Sequence, residues 1–454
     1  MLTTVTFALF ILGILLSILM DVSIVIPMLF GSVLFGTAAV LSGHGFSAVL
    51  KMMWQGLKKG LFIFFIFVLV GMLTAAWRAS GTMAFFVYWG TRLIHPDWFI
   101  LCAFLMTAAL AYLVGTSFGS IGTLGVMLMV LARTGDVSPV ITAGAIIAGS
   151  YFGDRGSPAS SSAILVSRLT DTDLSHNVKT MLKTGAVPFL MSCIFYAVLS
   201  QANPLSGRMG DTFGQISACY NLSPLVMLPA LAVLILPLVG LDIRITMGTS
   251  LAAAGILAVF LQGEAPMALF KALFLGYDPA FEGSFAELIR GGGLSSMIKA
   301  SCVVLAASTY AGIFQNTDLL KGLETKIRAL AKKIGLFPAT VVTATAASML
   351  ACNQTLAVMM TEQLMEKAAA DCGADAEQQA QNLENSVITI SPLIHWNIAV
   401  SVGLAVLSVG PGAILFACYL YFIPLGNLVD DFVHHHHHRG QRPAPHRRPM
   451  AHSH

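Results

Sequence analysis

Apolar residues run along this chain in long blocks, with polar ones gathered between them. Runs near 4–20, 22–43, 61–81, 96–114, 184–200, 222–240, 245–262, 295–315 and 411–429 are each suited to crossing hydrocarbon as a helix. Two further regions, 115–169 and 336–410, are apolar but interrupted by Gly, Pro and polar clusters. The stretch LLKGLETKIRALAKKIG (319–335) sets apolar against basic positions and predicts an interfacial helix lying along the membrane. The first run has no basic leader and no small-residue cleavage site, so it reads as a retained first helix. The fold expected is an all-α polytopic membrane protein.

Composition strengthens that expectation. Of 454 residues, 56% are hydrophobic and only 10% charged, against about 25% charged in soluble domains. A net charge of +3 without a basic, aromatic-laced patch gives no support to a nucleic-acid partner. Cys102, Cys193, Cys219, Cys302, Cys352, Cys372 and Cys418 lie far apart and read as small buried hydrophobes. His44, His95, His176 and His395 have no metal-ligand spacing, so neither a metal nor a cofactor is expected. The tail from His434, with Arg439, Arg442, Arg447 and Arg448, is a polar tail or a tag remnant and stands outside the fold. No Walker, Gly-x-Gly-x-x-Gly or His-Glu-x-x-His motif occurs. A hydrolase built from Ser160 to Ser162 and His395 has no supporting spacing, so an enzyme is not expected.

Basic clusters predict orientation. Lys51, Lys58 and Lys59 precede the span at 61–81, and Arg168, Lys179 and Lys183 precede 184–200. Lys321, Lys326, Arg328, Lys332 and Lys333 follow 295–315. All three fall on the cytoplasmic side of an inner (plasma) membrane if both termini are cytoplasmic.

The chain also echoes itself. GTSFGS begins at Gly115 and CNQTLA at Cys352, 237 residues on. Ser157-Pro158 recurs as Ser391-Pro392 at 234, and GMLTAAW from Gly71 has a looser echo from Ala306 at 235. The basic cluster precedes 61–81 but follows 295–315, as it would if two repeats were inverted. The expected organisation is N-terminal helices (1–60), a first inverted repeat (61–200), linking helices (201–290), a second repeat (291–430) and the tail (431–454). Inverted repeats carrying broken helices or re-entrant hairpins point to a secondary transporter with its site near the bilayer midplane.

Irregular chain at membrane depth must face protein or a water-filled cavity, so four polar breaks supply the candidate site. VGTSFGSIGTLG (114–125) offers Thr116, Ser117 and Ser120, as a small-residue packing face or as a re-entrant tip. In GDRGSPASSS (153–162), Pro158 predicts a helix break, exposing Asp154, Ser157, Ser160 and Ser161. ACNQTLA (351–357) offers Asn353, Gln354 and Thr355. LENSVITISPLIHWN (383–397) offers Asn385, Ser386, Ser391 and Asn397. Asp154, Glu384 and His395 are the candidates for proton coupling. Asp154 and Arg155 could alternatively be structural, and His395 a satisfied interior histidine. Amides and hydroxyls around broken helices suit a dehydrated Na⁺ or the polar ends of a small metabolite.

At these residues the chain resembles the NhaC family of Na⁺/H⁺ antiporters. Gly115 to Ser120, Ala143 to Ile146, Phe152 to Asp154, Ser157-Pro158, Glu384 to Ser386 and Pro392 to Trp396 carry the likeness. The resemblance implies an inverted-repeat, elevator-like transporter, possible as a homodimer in the lipid bilayer, exchanging Na⁺ for protons. Relatives that carry organic acids or amino acids keep a coupled carrier of such a solute open as the alternative. Three positions depart from the family pattern: Ser161 and Asn385 stand where acids are usual, and His395 where Pro is. The lost acids leave fewer carboxylates at which a cation and a proton can compete.

Overall fold

The structure is a computed structural model describing residues 2–439 except 21, 24, 94, 206–213, 215, 240, 318–323 and 352. Lys321, Cys352, Arg442, Arg447 and Arg448 lie outside the described residues. Regular structure among the described residues is helical, apart from one isolated antiparallel bridge between Tyr277 and Gly291. The first part comprises α1 (Leu2–Leu19), α2 (Val25–Leu41), α3 (Phe46–Ala79), α4 (Thr82–Leu93) and α5 (Phe99–Val114). Then come α6 (Ser117–Ser120), α7 (Val126–Thr134), α8 (Pro139–Gly156), α9 (Ser161–Leu169) and α10 (Leu174–Ala202). The middle holds α11 (Leu228–Ile235), α12 (Ile243–Phe260), α13 (Pro266–Leu275), α14 (Ser284–Ile289), α15 (Ile298–Asn316) and α16 (Glu324–Ile334). The last part is α17 (Leu336–Ala351), α18 (Gln354–Asp371), α19 (Ala376–Asn385), α20 (Val387–Ile390), α21 (Ile398–Val406) and α22 (Cys418–Arg439).

The pattern along α10 shows lipid acting as solvent. Gly185, Pro188, Ser192, Tyr196 and Ser200 form its buried stripe, whereas Val187, Leu190, Ile194 and Val198 are exposed. Small and polar groups therefore pack inward and aliphatic ones face out, since lipid tails are as apolar as leucine. By length and hydropathy, Pro96–Val114, Ser117–Thr134 and Leu174–Ala202 can each cross a bilayer. Phe64–Ala79 with Thr82–Trp89, bent by 67°, and Ala376–Leu393 with Ile398–Val406, bent by 48°, are candidate broken spans or re-entrant loops. Within Ser117–Thr134, 83% of residues are buried, so neighbouring helices screen this span from lipid.

One expectation needs revision. The apolar run at 61–81 belongs to α3, whose 34 residues extend about 51 Å at 1.5 Å per residue. Positions 51, 58 and 59 therefore ride on its N-terminal turns rather than in a preceding loop. There the Lys58 ammonium lies 5.7 Å from the centre of the Trp54 ring, an amphipathic pairing suited to the membrane boundary.

Glycines set the closest helix contacts. A Cβ on Gly153 of α8 would collide with the Ala111 carbonyl of α5, and one on Gly149 with the Phe104 carbonyl. Gly56 of α3 and Gly312 of α15 abut in the same way, each meeting the other's backbone.

Helix bounds recur at one spacing. α5 and α17 begin at 99 and 336 and end at 114 and 351. The stretch from 117 to 134 matches α18, 354 to 371, while α9 (161–169) matches α21 (398–406). Each displacement is 237. The N-caps agree as well: Thr116 and Asn353 have φ/ψ of −144°/127° and −144°/131°, Ser160 and Asn397 −70°/128° and −71°/137°. This register differs from the 234 of the Ser-Pro pairs. Ser391-Pro392 lies inside a 3₁₀ turn, Ser391–Leu393, whereas Ser157-Pro158 follows the end of a helix.

Packing this tight makes a direct prediction. Gly153→Ala should destabilise the protein by about 1–3 kcal/mol and lower its melting temperature in detergent. Gly248→Ala, in α12 with no atom of the described residues within 4 Å of the added Cβ, should leave melting unchanged or raise it.

Candidate functional site

The four breaks are held open by their own side chains. α5 ends at Gly115 in the left-handed conformation (φ 73°), and Thr116 Oγ1 accepts the Gly119 amide at 3.5 Å to start α6. Asn353 Oδ1 does the same for the Leu356 amide at 3.3 Å and starts α18. Ser160 accepts the amides of Ser162 and Ala163 at 3.1 and 3.3 Å, capping α9, while its hydroxyl donates to the Asp154 carbonyl. Asn397 Oδ1 accepts the Ala399 amide at 3.0 Å, capping α21, and its Nδ2 donates to the Ser348 carbonyl at 2.8 Å. Capping of this kind satisfies donors that a helix start leaves orphaned.

Between these caps lies a cavity of about 430 Å³. Thr116, Ser117, Asp154, Ser161, Ser162, Asn353, Gln354 and Thr355 form its polar side. Ile66, Phe67, Phe118, Met247, Met359 and Val402 form its apolar side, with Gly56, Gly60 and Ser308 between. Asp154 is 5% exposed. Its Oδ2 accepts from Ser162 Oγ at 3.1 Å and Gln354 Nε2 at 3.0 Å, and the Ser117 backbone N–H also faces the carboxylate. Gln354 Nε2 lies 2.9 Å from Ser162 Oγ, which closes the triangle. Gln354 is the first residue of α18, so this donor is delivered from the start of that helix.

Arg155 points elsewhere, because adjacent helical residues do not share a face. Its Nη1 donates to the Met181 carbonyl (3.0 Å) and the Tyr419 hydroxyl (3.2 Å), its Nη2 to Thr184 Oγ1 (2.9 Å) and to Asn385 Oδ1. Asn385 Nδ2 continues to Asn427 Oδ1 at 2.9 Å. Glu384 is buried beside this group, with Oε1 lacking a hydrogen-bond partner among the described residues. Asp154 and Arg155 thus sit in two different polar clusters.

Of the expected site residues, the structure brings Thr116, Ser117, Asp154, Ser161, Asn353, Gln354 and Thr355 to one cavity. The others bond behind its wall. Ser120 donates to the Thr116 carbonyl (3.0 Å), Ser157 to Tyr112 (2.6 Å) and Ser386 to Asn382 (2.6 Å), while Ser391 pairs with Ser348 (2.9 Å). His395 is half-buried, edge-on to Trp396 at 4.9 Å between ring centres. Sequence reasoning missed Ser162, the last residue of the serine run, which orients Asp154. It also missed Gly56, Gly60 and Ser308, brought in by a helix pairing that no local motif announces.

The sequence profile of the Na⁺/H⁺ antiporter family matches residues 1–179 and 164–426. The Na⁺/H⁺ antiporter NhaC of Alkalihalophilus pseudofirmus is 26% identical, over 95% of this chain and 96% of its own. The arginine/ornithine antiporter ArcD of Halobacterium salinarum is 26% identical, over 87% and 84%. The malate-2H⁺/Na⁺-lactate antiporter of Bacillus subtilis is 24% identical, over 85% and 83%. A helical multi-pass architecture and a match across nearly the whole length lead to one assignment: the chain belongs to the Na⁺/H⁺ antiporter family, whose members are membrane transporters and not enzymes.

Proposed function

We propose that this protein is a secondary transporter exchanging Na⁺ for protons at Asp154. The observation that carries the reading is the cavity's charge. Among its described lining residues, Asp154 is the one acidic side chain, and no Lys, Arg or His accompanies it. A buried carboxylate without a cationic partner must hold either a proton or a cation. The surrounding Ser161 and Ser162 hydroxyls and the Gln354 amide are hard oxygen donors able to replace part of a cation's hydration shell. Competition for one carboxylate makes binding of Na⁺ and release of H⁺ a single equilibrium, which is the coupling that antiport needs.

The recurrence at 237 supports two inverted-topology repeats around that carboxylate. Their matched helix starts at Thr116 and Asn353 both open on the same cavity, the arrangement expected of a midplane site between inverted halves. With the basic clusters inside, both termini are cytoplasmic.

A second reading has its own support. About 430 Å³ lies within the roughly 300–1,000 Å³ of small-molecule pockets and exceeds what one bare ion fills. The helix start at Gln354 also offers amides suited to a carboxylate group. A small organic acid or amino acid, carried with a coupling ion at Asp154, fits the same geometry.

Proteoliposomes enclosing a pH-sensitive dye test the first reading. An imposed Na⁺ or Li⁺ gradient should move protons, and Asp154→Asn should reduce the signal to that of empty vesicles while the protein still inserts. No proton movement at any pH from acid to alkaline would rule out antiport. The exchange then falls to the organic-solute reading, for which one amino acid or carboxylate in a panel should raise the melting temperature. Ser162→Ala removes a hydrogen bond to a charged group, an interaction of about 1.5–3 kcal/mol. It should raise the Na⁺ concentration for half-maximal exchange by roughly tenfold or more, and an unchanged value would remove Ser162 from the site.

A further inference from the structure

We propose that a groove between α16 and the C-terminal helix α22 binds a membrane phospholipid whose headgroup carries a primary amine. The groove encloses about 840 Å³ and shares no lining residue with the Asp154 cavity. Leu425, Leu428 and Val429 line its α22 wall at helical spacing, and Leu425 and Val429 are exposed. Lys332 and Lys333 of α16 and Asp431 of α22 line it too.

The groove changes character along its length as a phospholipid does. α22 is apolar through Val429 and turns acidic at Asp430 and Asp431, the pattern of a helix leaving hydrocarbon. α16 is amphipathic, with its apolar face packed on α17 and α18, and so lies at the same boundary. An acyl chain therefore fits along Leu425 and Val429, with its phosphate at the lysines.

The charges choose the headgroup. Lys332 lies 3.4 Å from Asp371, which Arg328 already holds at 2.7 Å. Lys333 makes no ion pair among the described residues and is the cation free to meet a phosphate. Asp431 on the opposite wall is then placed for the ammonium of the same headgroup. A purely anionic headgroup would set its charge near Asp431 with nothing returned, and a quaternary amine has no N–H to donate. This inference is independent of what the Asp154 cavity carries.

Native mass spectrometry of the delipidated full-length protein, titrated with ethanolamine-type, glycerol-type and choline-type phospholipids, tests it. The expected order places the primary-amine lipid first. Lys333→Ala should weaken all three by about fivefold, the effect of one surface basic residue. Asp431→Asn should abolish the preference for the primary amine over choline and, by removing a like charge, tighten binding of the glycerol-type lipid. If Lys333→Ala melts early without lipid, Lys333→Gln keeps the stem and reads the same charge. Equal binding of amine and choline lipids, preference for the glycerol type, or indifference to Lys333 would overturn the proposal. So would a Val429→Cys disulfide dimer that forms regardless of added lipid, because a second copy would then fill the groove.

Discussion

A helix broken in hydrocarbon frees backbone donors and acceptors that lipid cannot satisfy, and the architecture of this protein depends on how four breaks meet that demand. Thr116, Ser160, Asn353 and Asn397 each lend a side-chain oxygen to the amides of the helix that follows. Ser157 and Trp396 fasten the same breaks to the ends of α5 and α17, donating to the Tyr112 and Met349 carbonyls, which are themselves 237 residues apart. A polar residue near a break thus has two possible employers, the backbone and a solute. Those claimed by the backbone define the cavity's walls, and those left over, Asp154, Ser161, Ser162 and Gln354, define its chemistry.

Under the proposed exchange reading, separating Asp154 from Arg155 is what leaves the cavity's charge exchangeable. An ion pair between them would satisfy the carboxylate permanently, and breaking it for every arriving cation would leave a buried charge uncompensated. Instead the guanidinium is held by neutral acceptors of α10, α19 and α22, while the carboxylate is held by two neutral donors and a helix start. Neutral donors stabilise the carboxylate without cancelling its charge. Under the proposed exchange reading, that is the electrostatic condition for binding and releasing a cation.

Much of this was legible in the amino-acid pattern. Apolar runs located the helices, the run at 96–114 the end of α5, and Pro158 the end of α8 at Gly156. The register was harder to read, because capping needs only a side-chain oxygen: Thr pairs with Asn and Ser with Asn, so function recurs where identity does not. Ser-Pro, the pair that does recur by identity, gave 234 and sits in two different local structures. Division of labour among neighbouring serines was also hidden. Ser160 caps, Ser162 holds the carboxylate, and only the direction in which α9 leaves the break separates them. Nothing local in α3 announces that Gly56 and Gly60 form the opposite wall, since their place follows from packing against α15.

The two positions where this chain lacks an acid expected from the family resemblance, 161 and 385, differ in physical meaning. Asn385 lies behind the cavity, bonded to Arg155 and Asn427. A carboxylate there would pair with the guanidinium and add nothing to the charge that a solute meets. Ser161 lines the cavity on the same break as Ser162, facing the space that Asp154 shares. An acid at 161 would give the cavity two carboxylates, and like charges so close would couple their protonation and their cation binding. With serine there, one charge remains, so under the exchange reading each loading event at this site trades a single positive charge for a proton. Replacing Asp by Ser at that position therefore alters the electrical balance of the site, whereas Asn at 385 alters only how an arginine is held.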